Sequence, residues 1–304
     1  MTGDRRLLVL VNRAAGSAQE GQLDEVCRAL SSRSDSGIEV RDPAPAEYAE
    51  TVASAVGRDV VVVGGDGSLH RLLQEISDQD LLARVGAVGL VPLGTGNDLA
   101  RGAGLPLEPL EAVPVAVGGT ARARSLLLEE SGEVVANAVH CGVAAEATAR
   151  AADVKGRLGR AAYVWGALRA GVTSRGWHLR VSVDGTTVVD GSDRVLMVSA
   201  VLGSTVGGGT PIVPRSQDGE LVTVVVACGT SAWARVGFAR ALRRGRHAER
   251  EDVLVVSGRE VQVEAVDPRD AFRANTDGEV SDERYLSRRW RLQQHVWRLR
   301  VPAD

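Results

Sequence analysis

An unbroken run of valines, Val60 to Val63, leads into Gly64-Gly65-Asp66-Gly67-Ser68, and a helix-period segment follows. Glycines at the carboxyl end of a strand leave main-chain N–H groups open to a ligand. The helix start beyond them carries partial positive charge, so phosphate can be held there without a lysine. That matters because the chain has a single lysine, Lys155, and nowhere shows the G-x-x-x-x-G-K-S/T spacing of a Walker-type loop. Taken alone, the segment reads equally well as a tight strand-to-helix turn capped by Asp66. A second loop weakens that plainer reading: Pro92-Leu93-Gly94-Thr95-Gly96-Asn97-Asp98-Leu99-Ala100-Arg101 ends the next apolar run and opens another helix. Thr95 and Asn97 suit hydrogen bonds to phosphate or ribose, and Asp98 is placed to cap the helix it begins. Asn12-Arg13-Ala14-Ala15-Gly16 closes the first strand in the same fashion. Three strand-end loops on one sheet edge form a ligand crevice.

The second half offers acids in turns. Asn275-Thr276-Asp277-Gly278-Glu279 sets two carboxylates one residue apart, close enough to approach a common cation or hydroxyl. Without further context it is an Asp-Gly hairpin between Phe272 and Val280. Asp218-Gly219 has the same ambiguity as a turn before the strand at Leu221 to Ala227, and Gly207-Gly208-Gly209 reads as a mobile loop. His70, His140, His178, His247 and His295 are scattered without ligand spacing, which argues against zinc. Arg240, Arg243, Arg244, Arg246 and Arg250, with Arg288, Arg289, Arg291, Arg298 and Arg300 in the tail, are locally basic. Such runs are ordinarily solvated faces; their functional reading is attraction to anionic lipid headgroups. Trp290 and Trp297 are read as interfacial anchors or, for at least one of them, as packing of the final strand.

The elements that must hold these residues follow from periodicity. Leu7 to Val11, Ile38 to Val40, Val60 to Val63 and Val85 to Val91 read as buried strands. Between them Leu23, Val26, Cys27 and Leu30, then Leu69, Leu72, Leu73 and Ile76, fall on helical stripes, the first behind a capping box at Ser17 to Glu20. Strands alternating with helices predict a parallel sheet covered by helices. After about residue 120 strands predominate, at Leu126 to Leu128, Val134 to Cys141, Leu179 to Val183, Val195 to Leu202, Leu221 to Ala227, Val253 to Val256 and Val261 to Val266. Helical insertions are expected at Arg160 to Val172 and Ala232 to Arg244. The expected domains are an α/β unit at 1–122, a mostly β sandwich at 123–286, and a segment at 287–304 returning to the first.

Length and composition bound the rest. At 304 residues and 44% apolar content the chain can build one large or two ordinary cores, and 36 basic against 39 acidic residues gives 36 − 39 = −3. A disordered chain or one built as a whole for nucleic acid is thereby excluded. Thirty-five glycines exceed the roughly 7% typical of proteins, so many positions turn sharply or admit a ligand to the backbone. The odd set Cys27, Cys141 and Cys228 has no metal spacing and predicts a reduced, cytoplasmic protein. No apolar run is long enough to span a membrane, so membrane contact is expected to be peripheral. The absence of G-x-G-x-x-G after the first strand argues against a dinucleotide oxidoreductase.

Gly64 to Ser68, Pro92 to Arg101 and Asn12 to Gly16 together resemble the diacylglycerol kinase catalytic-domain family, which includes sphingosine kinases and bacterial lipid kinases and is distantly related to NAD kinases. The G-T-G-N-D segment is the more specific motif, since G-G-D-G-S/T is shared with NAD kinases. The likeness continues through Gly142 to Glu146, the Lys155 to Val172 region, Pro214 to Gly219 and Asp277-Gly278-Glu279, covering nearly the whole chain. It implies an N-terminal α/β nucleotide domain, a C-terminal β-sandwich, and ATP with Mg2+ in a cleft between them. It further implies γ-phosphoryl transfer to a lipid hydroxyl, with diacylglycerol as the expected acceptor. By the same resemblance Asn12, Arg13, Ala14, Ala15 and Gly16, then Gly64, Gly65, Asp66, Gly67, Ser68, Leu69 and His70, then Thr95, Gly96, Asn97 and Asp98, contact ATP. Asp66 belongs to the magnesium network, Glu279 is the general base with Asp277 beside it, and Asp218, Arg215 and Glu220 form a structural metal site. The chain departs from the family at Arg13, where proline is usual, at Ser68 for threonine, at Arg71 for an acid, and at Ala144, where an aspartate of the magnesium network is common; Glu146 or Asp153 are candidates to replace it. Implied partners are a lipid at the membrane surface and no nucleic acid, with a homodimer left open. The alternatives are a NAD kinase-like phosphotransferase and a non-catalytic nucleotide-binding regulator.

Overall fold

The computed structural model describes residues 7–12, 20–33, 37–154, 175–206, 209–212, 220–242 and 244–303. Arg13, Ala14, Ala15, Gly16, the cap at Ser17, the helical stretch expected at Arg160 to Val172, Lys155, Gly207, Gly208, Arg215 and Asp218 lie outside the described residues. The chain divides into two compact units, Met1–Leu126 with Gln293–Asp304, and Leu127–Leu292.

In the first unit β1 (Leu7–Val11), β2 (Ile38–Arg41), β3 (Val60–Gly64) and β4 (Val88–Pro92) form a parallel sheet in the order β2-β1-β3-β4. Every residue of β1, β3 and β4 is buried, which is why these strands read as continuous aliphatic runs without alternation. Between them run α1 (Glu20–Ser31), α2 (Tyr48–Ala53) and α3 (Asp66–Asp78), and α4 (Asp98–Ala103) and α5 (Pro109–Gly118) follow. The chain steps from β1 to β2 in one direction and from β3 to β4 in the other, so right-handed crossovers put α1 and α3 on opposite faces. Leu23, Val26 and Leu30 of α1 join Ala112, Val113 and Ala116 of α5 against Leu7, Val9, Val11, Val61 and Val63. The close seat of α5 depends on Gly89, because a Cβ there would collide with the Ala116 carbonyl oxygen. The fourth strand starts at Val88 and not at Val85; Val85 instead makes an isolated bridge to Val56.

The second unit is a sandwich. One sheet has the order β15-β14-β11-β7-β17-β18, from β15 (Val253–Gly258), β14 (Val222–Ala227), β11 (Met197–Val201), β7 (Ala138–Gly142), β17 (Ala274–Thr276) and β18 (Glu279–Val280). Facing it are β10 (Arg194–Val195), β8 (Trp177–Val183), β16 (Glu260–Ala265) and the first residues of β19 (Ser287–Val301). Beside them lie β9 (Thr186–Val189), β6 (Val134–Val135) and the end of β5 (Thr120–Glu129), while β12 (Thr205–Val206) and β13 (Thr210–Pro211) form a separate antiparallel pair. Val139, Cys141, Val198, Val222, Val224 and Val226 from one layer meet Leu179, Val181, Val261, Val263 and Trp290 from the other. On the outer face of the six-stranded sheet, α6 (Val143–Val154) and α7 (Ala232–Leu242) cover a smaller cluster that includes Leu196, Met197 and Phe238.

Two expectations are corrected here. The stretch Val134 to Cys141 is two strands, broken at Ala136-Asn137, whose main-chain N–H groups turn to the Asp277 carboxylate. Trp290 and Trp297 are both core residues, 1% and 5% exposed, so neither is an interfacial anchor. Among the described residues no helix is long and apolar enough to cross a membrane.

Candidate functional site

The strand order of the first unit reverses between β1 and β3, and crevices form outside the carboxyl ends of strands at such a switch. Asn12 follows β1 there as an exposed residue, and the two glycine loops follow β3 and β4. The loops are locked together. Asp66, the first residue of α3, turns both carboxylate oxygens toward the other loop, accepting from Asp98 N at 3.0 Å and Leu99 N at 3.2 Å. It caps α4 across 32 residues of sequence and leaves α3 without a side-chain cap, which corrects the expectation that Asp66 caps its own helix and Asp98 caps α4. Helix α3 starts without a side-chain cap, and Ser68 N and Leu69 N donate to Gly65 O at 3.1 and 3.2 Å within its first turn.

Asn97 precedes α4 with φ +52°, a left-handed position that asparagine tolerates better than most residues. Its Nδ2 donates to Gly94 O at 2.8 Å, while Oδ1 is buried with no hydrogen-bond partner. An unpartnered buried acceptor beside two glycines is a place where a ligand donor would be satisfied. Thr95 is exposed at the loop tip, and Arg101 Nε donates to Gly96 O at 3.1 Å. Leu69 does not face this region: it is 1% exposed, in the core with Leu72, Leu73 and Ile76, so its side chain is unavailable to a nucleotide.

The two loops touch through their glycines. A Cβ on Gly94 would lie 2.6 Å from Gly65 Cα and 2.7 Å from Asn97 Oδ1. Neither main chain can yield without moving Asp66 off the α4 amides. Gly94→Ala is therefore expected to destabilise the protein by about 1–3 kcal/mol, the usual penalty for overpacking. At Gly96 the nearest atom is the Asp66 carboxylate at 3.1 Å, so Gly96→Ala is expected to cost less. Urea unfolding of both variants checks the order; equal stability of Gly94→Ala and the parent protein would show that the loops are not packed this way.

In the second unit Asp277 and Gly278 are the two central residues of the β17–β18 hairpin, with φ +50° and +99° as the I′-type turn demands. The Asp277 carboxylate accepts from Ala136 N at 2.7 Å, Asn137 N at 2.8 Å and Ala138 N at 2.9 Å, and Asp277 N donates to Ala138 O at 2.9 Å. The two neighbouring acids thus do not converge: Asp277 braces the hairpin against the β6–β7 break, and Glu279 is exposed. Thr276 is the cross-strand partner of Glu279, so both side chains leave the hairpin on one face, and Thr276 Oγ1 is buried without a partner. On the other face, Asn275 Nδ2 donates to Thr148 Oγ1 of α6 at 2.8 Å, and Asn275 Oδ1 accepts from Gly278 N at 3.0 Å. The neighbouring His140 meets Ser199 Oγ at 2.8 Å, and burial pulls its imidazole down to about 4, so the ring is neutral at pH 7. Sequence reading missed this polar row, because Ser199, His140 and Asn275 become neighbours only through strand pairing.

Ala144 packs against the cluster under α6, and Glu146 pairs with Arg284 at 2.5 Å, so Glu146 is already engaged. The side chain of Asp153 lies outside the described residues. Glu220 is exposed just before β14. Arg215 and Asp218 of the expected metal site lie outside the described residues, and among the described residues no three His, Cys, Asp or Glu side chains gather to hold a metal ion.

Comparisons with known proteins match the two halves of the chain to two domain families. Residues 6–128 match the diacylglycerol kinase catalytic domain, and residues 137–289 match the YegS C-terminal NAD kinase beta sandwich-like domain. The chain is 32% identical over 269 residues to a "Probable lipid kinase YegS-like" of Xanthomonas campestris pv. campestris, an alignment covering 84% of this chain and 82% of that one. Among solved structures, a diacylglycerol kinase from Bacillus anthracis superposes with a TM-score of 0.71 at 15% identity, over 98% of this chain and 97% of the other. Yeast NADH kinase complexed with NADH superposes with a TM-score of 0.54 at 12% identity, over 99% and 84%, a likeness of fold alone. With both halves matched in order and a relative aligned over most of its length, the chain belongs to the YegS-like lipid kinase family, an α/β diacylglycerol kinase catalytic domain followed by a NAD kinase-like β-sandwich.

Proposed function

We propose that the protein transfers the γ-phosphoryl group of ATP to a lipid hydroxyl at a membrane surface, with diacylglycerol as acceptor and phosphatidic acid as product. The observation that carries the reading is the pair of glycine loops tied by Asp66, with α3 lacking a side-chain cap and Asn97 Oδ1 unpartnered. In this reading Gly64, Gly65, Gly67, Ser68 and the main chain of Leu69 and His70 hold phosphate oxygens. Thr95, Gly96, Asn97 and Asp98 hold ribose or phosphate, and Asn12, Arg13, Ala14, Ala15 and Gly16 are assigned to ATP. Mg2+ accompanies ATP and offsets its phosphate charge. Phosphoryl transfer then depends chiefly on in-line positioning and on a base for the attacking hydroxyl, the role assigned to Glu279, with Asp277 and Thr276 setting its hairpin. The first domain is assigned to the nucleotide and the sandwich to the lipid. The enzyme would work from the cytoplasm.

The test is labelled ATP with magnesium and three acceptors in parallel: diacylglycerol in mixed micelles, a total lipid extract, and NAD. Label in phosphatidic acid is the expected result. Label in NAD alone would replace the reading with a NAD kinase-like one. ATP binding without transfer to any acceptor would favour a regulatory protein whose metal network was lost with the carboxylate absent at Ala144.

A further inference from the structure

We propose that the outward face of α7, formed by Trp233, Val236 and Arg240 and continued by Arg244, is the surface that docks on an anionic lipid bilayer. The proposal deepens the lipid-kinase reading, since it names where the enzyme would meet the membrane that holds its acceptor. Helix α7 buries Phe238 in the cluster with Val143, Leu196, Met197 and Ala227, and Phe238 meets the His247 ring edge to face at 6.0 Å. That contact fixes which side of the helix looks out. On the outward side Trp233 is 86% exposed, where no other large apolar residue among the described ones exceeds 52%, and Val236 is 49% exposed. Trp233, Val236 and Arg240 lie at i, i+3 and i+7 on one stripe, and Arg244 is exposed in the turn after the helix.

Charge selects the occupant. Arg243 lies outside the described residues, and the other arginines of this segment are of two kinds: Arg246 pairs with Glu249 and Arg250 with Asp252, each at 2.7 Å. Arg240 and Arg244, on the tryptophan side, carry no ion pair among the described residues, and α7 itself contains no acid. An exposed indole with flanking guanidinium groups fits a headgroup region, where tryptophan keeps its ring in apolar matter and its N–H in water, and arginine meets lipid phosphate. The chain's net charge is negative, so the attraction is a property of this face and not of the molecule as a whole.

The experiment is sedimentation of the full chain with vesicles of phosphatidylcholine alone or with phosphatidylglycerol at three parts in ten, for the parent protein, Trp233→Ala and the double variant Arg240→Ala/Arg244→Ala. All substituted side chains are exposed, and thermal melting checks that the folds are equal. Anionic vesicles are expected to bind the parent strongly and neutral ones weakly. Each arginine removed should lower the partition coefficient about fivefold, an effect that fades as salt is raised. Trp233→Ala is expected to lower it at least as much, without salt dependence. Unchanged vesicle binding in both variants overturns the proposal. So does a parent dimer that becomes monomeric in Trp233→Ala while vesicle binding stays intact, because the face would then belong to a second copy of the chain. Vesicle binding is read without turnover, so it stands or falls separately from the kinase activity.

Discussion

Glu279→Gln is expected to lower the rate of lipid phosphorylation by roughly 10²- to 10⁴-fold, the range that a positioned general base contributes. The substitution keeps the size and hydrogen-bonding reach of the side chain and removes only its capacity to accept a proton. Glu279 is exposed at the first residue of β18, so its replacement breaks no core contact and should leave the melting temperature unchanged. ATP affinity should also be unchanged, because the glycine loops proposed to hold its phosphates belong to other elements. The signature is therefore a fall in kcat with KM for ATP and thermal stability intact, measured by steady-state kinetics and a melting curve on one preparation. Equal rates in Glu279→Gln and the parent would remove Glu279 from the chemistry. A parallel fall in stability would mean that it acts through the hairpin and not on the hydroxyl. Phosphoryl transfer leaves little covalent work for the protein, so the base and the alignment are where a single side chain carries most.

The alternation of aliphatic runs with helical stripes reveals the first unit because each strand there is buried on both faces and each helix on one. The glycine loops were legible too, since glycine after a strand announces itself locally. What joins them was not: Asp66 reaches Asp98 and Leu99 across 32 and 33 residues, and nothing in G-G-D-G-S says that its aspartate caps the other loop's helix. The same holds for Val134 to Cys141, which reads as one strand until the Asp277 carboxylate, about 140 residues away, claims the amides at Ala136 and Asn137. Periodicity placed the change of architecture at 122/123, yet the unit boundary at 126/127 falls inside β5, and the second crossing at 292/293 falls inside β19. A strand that passes from one unit to the next keeps its aliphatic pattern through the junction, so composition shows no seam. The arginine cluster looked uniform in sequence, and only the positions of Glu249 and Asp252 separate the paired members from Arg240 and Arg244.

Asp277→Ala is expected to cost about 3–5 kcal/mol of unfolding free energy, the sum of two effects. The first is the loss of one acceptor group serving three main-chain donors, Ala136, Asn137 and Ala138, at 2.7–2.9 Å. The three N–H groups are only partly buried and water can take over some of the bonds, so together they cost roughly 2–3 kcal/mol. The second is backbone conformation: φ at Asp277 is +50°, and alanine is disfavoured there by roughly 1–2 kcal/mol, whereas aspartate and asparagine are tolerated. Asp277→Asn separates the two. It keeps the left-handed preference and one carbonyl acceptor, loses one side of the clamp, and should cost about half as much. Since whole domains are stable by only about 5–15 kcal/mol, Asp277→Ala should visibly lower the urea midpoint. Catalysis should fall with it, because Glu279 sits two residues on, in the strand that this clamp holds in register with Thr276. A stable Asp277→Ala protein that has lost activity would reverse the assignment, making Asp277 a participant in the reaction and not the brace of the hairpin. Stability lost in proportion across Asp277→Asn and Asp277→Ala, with residual activity in the asparagine variant, is the outcome that the three backbone hydrogen bonds require.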